Sequence, residues 1–285
     1  MSYQNVGKPR IYLNLSEYAA LANGLSIDNT FRTLPVEMSE VPQYVPNIST
    51  IGVNLNNGYI AILGYNGDAE LQHGNTVFSG DAIAGDISTA GYMIADTPNM
   101  ITKITDGSDG SITAGSVLLG TYYNFPVSPD LSLSLSYDYE GIKETTTLGG
   151  STLTNIRYNT PRKWGTLGAW EFTGGNPNLA RSGRRIWDIS FSYISDNNIF
   201  PTNLALTNND GDTTTDNSTS NTLLEDDTFQ RVIHLTNGGQ IPFIFQPDSA
   251  DNQVFAIAKF SQQSFKFDQV ANNIYSVSLK IREVW

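Results

Sequence analysis

Histidine and cysteine are the side chains that most often build catalytic and metal centres, and this chain has few of them. It contains two histidines, His73 and His234, and no cysteine. An activated nucleophile or a transition-metal site needs several such groups, and the two histidines lie far apart with no partner at a recognisable spacing. We predict a turn at His73 and a structural role for His234. We therefore predict no catalytic residue, no metal site, no cofactor and no enzyme activity.

Oxygen ligands suited to calcium are concentrated in residues 208–212, which read Asn-Asn-Asp-Gly-Asp. The EF-hand pattern requires glycine at its sixth position, which here is Gly211. That register places Leu206 at the first ligand position and Asn217 at the position of the bidentate carboxylate. Leucine has no side-chain oxygen, so the pattern fails, and we predict a polar loop here.

Several carboxylates near aromatic residues raise the question of glycoside hydrolysis. They are Asp138, Glu140, Glu171 and Asp188. That chemistry is defined by the separation and the pKa values of two carboxyl groups, which no sequence supplies. A nucleotide site would need a Gly-Lys-Ser/Thr ending or a Gly-x-Gly-x-x-Gly opening, and neither occurs. We predict neither activity.

The basic cluster Arg181, Arg184 and Arg185 leads directly into a strand-like segment. One interpretation is a group of surface arginines with one intramolecular ion pair. The other is a contact between subunits, because the planar guanidinium binds carboxylates and backbone carbonyls well at interfaces. We take these three arginines as candidates for a subunit contact.

Composition excludes several classes of partner. The net charge is -12 and charged residues make up only 15% of the chain. An acidic chain without a basic face is repelled by phosphate, so we predict no nucleic-acid partner. The sequence contains no apolar run long enough for a membrane helix and no signal-peptide pattern at its start. We predict a soluble protein that does not insert into membranes.

Strict alternation of apolar and polar residues predicts two strands, each with one buried face. The apolar positions are Trp187, Ile189, Phe191 and Tyr193 in the first strand and Tyr275, Val277, Leu279 and Ile281 in the second. Shorter strand patterns recur along the chain, separated by glycine-rich turns. The predicted fold is mainly β, with antiparallel β-sandwich or barrel domains and one short helix near residues 222–236.

That helix is predicted from a capping box at Thr222 and Glu225 and from the terminating pair Gly238 and Gly239. A further short helix is predicted with Ser16 as its N-cap and Gly24 at its end. The predicted organisation is an extended N-terminal arm over residues 1–50, a first β domain over 51–122 and a second over 123–285. The second domain includes a mobile polar loop at 207–221.

Six segments together resemble minor tail proteins of tailed bacteriophages. The segments are 59–64, 124–133, 149–152, 183–193, 241–248 and 275–283. The resemblance implies a distal-tail-like component of a tail tip or baseplate that forms a ring or multimer. The implied location is the virion tail after synthesis in the host cytoplasm. The implied partners are other copies of the chain and other tail or baseplate proteins.

A carbohydrate-binding β-sandwich used for host attachment is the alternative function. Such modules bind sugars through exposed aromatic side chains. The candidate contacts are Tyr65, Trp164 and Trp170.

Overall fold

The structure is a computed structural model of the chain. It describes residues 6–34, 39–42, 44–46, 48, 53, 57–63, 69–73, 76–79, 93–95, 103–106, 112–138, 142–156, 163–164, 167–168, 184–204, 222–251 and 254–284. Strands dominate these residues and every strand pair is antiparallel. The prediction of a mainly β chain built from antiparallel sheets is confirmed.

The strands are β1 (Arg10–Asn14), β2 (Ser39–Glu40), β3 (Gly58–Leu63), β4 (Ala69–His73), β5 (Thr76–Ser79), β6 (Met93–Ala95), β7 (Lys103–Asp106), β8 (Thr113–Ala114), β9 (Ser116–Asn124), β10 (Ser134–Asp138), β11 (Ile142–Thr146), β12 (Thr152–Ile156), β13 (Lys163–Trp164), β14 (Leu167–Gly168), β15 (Arg184–Ser195), β16 (Phe243–Gln246), β17 (Ala256–Phe260), β18 (Phe267–Ala271) and β19 (Ile274–Glu283). The helices are α1 (Leu15–Asn23), α2 (Asp196–Ile199) and α3 (Phe229–Leu235), with a 3-10 helix at Asn29–Phe31.

Ten strands form one sheet in the order β10-β15-β19-β17-β16-β1-β9-β3-β6, and β18 pairs with β19 beside β17. Smaller sheets join β4, β5 and β7, β11 with β12, β13 with β14, and β2 with β8. Strands from both ends of the chain are therefore neighbours in the main sheet.

The first strand lies in the middle of this sheet. Strand β1 pairs with β9 on one side and β16 on the other, so that Arg10 lies opposite both Asn124 and Gln246. Residues 10–23 are thus a central strand and a helix rather than an extended arm, because Ile11, Tyr12 and Leu13 are all buried. Strand β9 runs through residues 122 and 123, where the sequence-based domain boundary falls. The division into domains stays a prediction.

Alternation along the strands places side chains in cores on both faces of the sheet. Ile11 and Leu13 belong to the largest core cluster, whereas Tyr12 between them packs in a second cluster with Tyr59. Successive strand residues point to opposite faces, which separates these two sets. The central strands are therefore buried on both faces, and their sequences are accordingly almost continuous apolar runs.

Strand β15 departs from the predicted alternation at Tyr193. Trp187, Ile189 and Phe191 are buried, but Tyr193 is 74% exposed and Ile194 takes the next core position. The register with β19 shifts between Phe191 and Ile194, which is a β-bulge. One extra residue in a strand reverses the side on which later side chains point.

Helix α1 begins at a different cap from the predicted one. The side chain of Asn14, not Ser16, accepts hydrogen bonds from the backbone N–H groups of Ser16 and Glu17. The Asn14 amide also donates to the Phe31 carbonyl at 2.9 Å, so it joins β1, α1 and the 3-10 helix. The helix ends at Gly24 in the left-handed conformation (φ 68°), as predicted.

Helix α3 also starts later than the capping-box pattern predicts. Residues 223–225 form a turn, and the Thr228 hydroxyl accepts from the Arg231 N–H at the helix start. Thr222 instead donates its hydroxyl to Asp226 at 2.8 Å. The helix ends before Asn237 and Gly238, which both have positive φ. The predicted helix near 222–236 is present, in shorter form.

Candidate functional site

Arg185 is bound within its own chain. Its Nη2 lies 2.8 Å from Glu283 Oε1, its Nε lies 3.0 Å from Glu283 Oε2, and Nη2 also donates to the Phe255 carbonyl at 2.8 Å. The guanidinium carbon lies 5.1 Å from the centre of the Trp187 ring. Burial lowers the pKa of Arg185, but the charge and hydrogen bonds of Glu283 outweigh it and raise the pKa overall. This geometry matches the intramolecular ion pair of the first interpretation.

The two other arginines of the cluster differ in position. Arg184 begins β15 opposite Asp138 of β10, and Arg282 of β19 donates to the Asp138 carboxylate at 2.9 Å. Arg181 lies outside the described residues. The structure therefore brings Arg184 and Arg185 to the start of β15, and a subunit contact by any of the three stays a prediction.

The carboxylates considered for hydrolysis are only partly described. Asp138 is bound by Arg282, and Asp188 lies 3.7 Å from the Lys280 ammonium with both side chains half exposed. Glu140 and Glu171 lie outside the described residues, as does the loop at 207–221. Among the residues the structure describes, no group of three or more His, Asp or Glu is placed to hold a metal ion.

The candidate sugar-contact aromatics are not brought together by what the structure describes. Tyr65 and Trp170 lie outside the described residues. Trp164 lies in β13, opposite Leu167 of β14, and the structure describes its backbone alone. The alternative function stays a prediction from the sequence.

His234 has a hydrogen-bond partner that the sequence did not predict. The Tyr18 hydroxyl lies 2.8 Å from His234 Nε2, across 216 positions of the chain. His234 keeps part of its side chain exposed, and desolvation of the remainder lowers its pKa below the ordinary 6.5. Burial raises the pKa of the Tyr18 hydroxyl. The hydrogen bond between the hydroxyl and the imidazole ties α3 to α1.

A cleft of about 360 Å³ opens beside this hydrogen bond. Its lining residues come from α1, the turn before α3, α3 itself and the turn after it: Tyr18, Ala22, Leu223, Gln230, Ile233, His234, Asn237 and Gly238. The Gln230 Oε1 atom is buried and has no hydrogen-bond partner among the described residues. The cleft thus combines aliphatic walls with a few amide and hydroxyl groups, as ligand and peptide sites do.

An ion pair between a buried arginine and a half-exposed aspartate lies at the start of α3. Arg231, 2% exposed, donates from Nη2 to Asp227 Oδ1 at 2.7 Å, and Asn57 donates to the other Asp227 oxygen at 3.0 Å. Burial raises the pKa of Asp227 and lowers the pKa of Arg231, and the ion pair opposes both changes. The Asn57 contact therefore ties the start of α3 to the residue that precedes β3.

The hairpin of β11 and β12 stands apart from the main sheet. The two strands pair only with each other, and residues 143–154 are exposed except for half-buried Thr147. Leu148 at the turn is 111% exposed, and Leu153 in β12 is 59% exposed. A two-stranded hairpin without a packed face is marginally stable in water. Apolar–polar alternation did not reveal this exposed turn. The sequence signal for it is a single leucine, Leu148, directly before Gly149 and Gly150.

None of the comparisons with family models, with characterised proteins and with solved structures gave a match to this chain. The fold and these surfaces define a mainly β protein with one large antiparallel sheet. In the part of the chain that the structure describes, no helix is long and apolar enough to cross a membrane.

Proposed function

We propose that this chain is a structural component of a bacteriophage tail tip or baseplate that assembles with copies of itself into a ring or multimer. It works in the virion after synthesis in the host cytoplasm, and other tail or baseplate proteins are its further partners. The observation that carries the proposal is the exposed β11–β12 hairpin with Leu148 at its turn.

An exposed hairpin of this kind supports an assembly role for a physical reason. Between residues 143 and 154, where the structure describes the side chains, the hairpin buries no apolar face within the chain. Packing against another molecule would supply the contacts that stabilise it. Leu148 and Leu153 would then lose the water contact that makes exposed leucines unfavourable. Further large apolar side chains are exposed elsewhere, among them Tyr193 and Val270. Exposed apolar surface is typical of protein–protein contact sites.

The segments that carry the phage-tail resemblance also support the proposal by their positions. Residues 183–193 fall largely on β15, residues 241–248 contain β16, and residues 275–283 fall on β19. These strands are neighbours or near neighbours in the main sheet. The resemblance therefore concerns the framework of the fold and one turn, residues 149–152, of the exposed hairpin.

The test is to remove the hairpin and image the particles. Residues 144–154 would be replaced by Asn-Gly, which favours a tight two-residue turn. The wild type is expected to form particles of uniform symmetry in electron micrographs, and the shortened chain is expected to form smaller species with an unchanged circular dichroism spectrum. Wild-type molecules that stay single and bind no other tail protein would overturn the proposal.

A further inference from the structure

We propose that the hairpin turn carrying Leu148 in one copy inserts into the α1–α3 cleft of a neighbouring copy. The inference rests on the proposed function, because it specifies how copies of the chain contact each other. It combines two features of one molecule that the fold itself leaves unused, an exposed apolar turn and a cleft with aliphatic walls.

The turn has a defined shape. The Gly150 N–H donates to the Thr147 carbonyl at 2.9 Å, and the Ser151 N–H donates to the Thr147 hydroxyl at 3.1 Å. Gly150 has φ 81°, a conformation that glycine adopts without strain. These bonds hold Leu148 at the outermost point of the hairpin, so inserting it would require little ordering of a flexible loop.

The cleft has room for such a side chain and matches it chemically. Its volume is about 360 Å³, whereas an apolar cavity of about 150 Å³ already accommodates benzene. Ala22, Leu223 and Ile233 provide aliphatic contacts.

Charge does not oppose contact between these two surfaces. Copies of a chain with net charge -12 repel one another. Residues 145–154 contain no charged side chain, and the cleft is lined by uncharged residues when His234 is neutral. A contact between these two surfaces brings no like charges into apposition.

The proposed contact is head-to-tail, because the turn and the cleft are different surfaces of the same chain. Such heterologous contacts generate a closed ring when the rotation between copies closes, and an open filament when it does not. The contact therefore accounts for a ring without requiring a second kind of subunit.

The experiment uses two single variants of the full chain at exposed positions. Leu148→Asp places a charge on the turn, and Ala22→Glu places one in the cleft while keeping a good helix former. Each is expected to weaken self-association at least tenfold in native mass spectrometry. The matched control Leu131→Asp changes another fully exposed leucine and is expected to leave association unchanged.

Mixing the two variants gives the sharpest result. Only one productive contact is then left, between the intact turn of Ala22→Glu and the intact cleft of Leu148→Asp, so a one-to-one heterodimer is expected and no ring. If both variants assemble into the same multimers as the wild type, or if their mixture gives no heterodimer, this inference is wrong and the proposed function still stands. A wild type that is monomeric throughout would overturn both.

A crosslink identifies the occupant of the cleft. The chain has no cysteine, so a mixture of Leu148→Cys and Ala22→Cys chains has one thiol on each. Oxidation is expected to join them as a heterodimer. A chain that carries both Leu148→Cys and Ala22→Cys tests the alternative. If its two thiols form a disulfide within one monomer, the hairpin occupies the cleft of its own chain and the inference is wrong.

Discussion

Arg185 and Glu283 form a bidentate ion pair between the start of β15 and the end of β19, with contacts of 2.8 and 3.0 Å. The Arg185 backbone N–H donates to the same carboxylate at 3.0 Å. Their side chains are 24% and 11% exposed, so the pair is largely withdrawn from water. An arginine held this way stabilises the sheet of its own chain.

Replacing Glu283 tests that role. We expect Glu283→Gln to lower the free energy of unfolding by about 1.5–3 kcal/mol, the range for hydrogen bonds to charged groups, because the guanidinium loses its counter-charge. Urea denaturation of the full chain measures the change.

The matched control for Glu283 is the exposed pair of Asp188 and Lys280, 3.7 Å apart. Asp188→Asn is expected to cost less than about 1 kcal/mol, because water screens exposed ion pairs. Equal losses in the two variants would contradict the structural role assigned to Arg185.

Gly120 lies at a close approach between the backbones of β9 and β1. A Cβ at this position would lie 1.8 Å from the Leu13 carbonyl oxygen, where β9 meets β1. Since the obstacle is backbone, no side-chain rotation relieves it, and Gly120→Ala is expected to cost about 3 kcal/mol or more. Gly149→Ala is the control, because its nearest neighbour would be 4.0 Å away. Thermal unfolding compares the two, and similar melting temperatures would count against the β1–β9 pairing.

Alanine substitutions at Asn14 and Ser16, two nearby polar residues, are expected to affect stability differently. Asn14→Ala is expected to destabilise the protein by about 1–2 kcal/mol, because it removes the α1 cap and leaves the Phe31 carbonyl without its donor. Ser16→Ala is expected to be close to neutral, because the Ser16 hydroxyl is buried without a partner among the described residues. Chemical denaturation distinguishes them, and a larger loss for Ser16→Ala would restore Ser16 as the cap.

The sequence predicted the strand content and the end of α1, because these depend on local alternation and on glycine at a left-handed position. It could not predict that Tyr193 faces solvent, since a bulge depends on the register with β19. It placed both helix starts wrongly, because several polar residues compete for each cap and tertiary hydrogen bonds decide between them.

Most of what the sequence did not predict is contacts between residues far apart in the chain. The centre of the sheet is set by β1 pairing with strands more than 100 positions away. Neither the Glu283 partner of Arg185 nor the Tyr18 partner of His234 has a sequence signature. The cleft is built from both ends of the chain, so no local pattern contained it.

Stability is expected to depend on the protonation of His234. Because the pKa of His234 is lowered by desolvation, the unfolded chain takes up a proton near pH 6.5 that the folded chain still excludes. Stability is therefore complete above pH 6.5 and declines as the pH falls below it. The loss should stay below about 1 kcal/mol, since the side chain is partly exposed. Denaturation midpoints of wild type and His234→Gln between pH 7 and 5.5 check this, and identical profiles would contradict it.

The central claim is that the chain works as a multimer. Light scattering on size-fractionated wild-type protein, over a wide range of concentration, measures the particle mass directly. The account predicts one discrete species whose mass is two or more whole multiples of 31.2 kDa. A single species of 31.2 kDa at every concentration would contradict it.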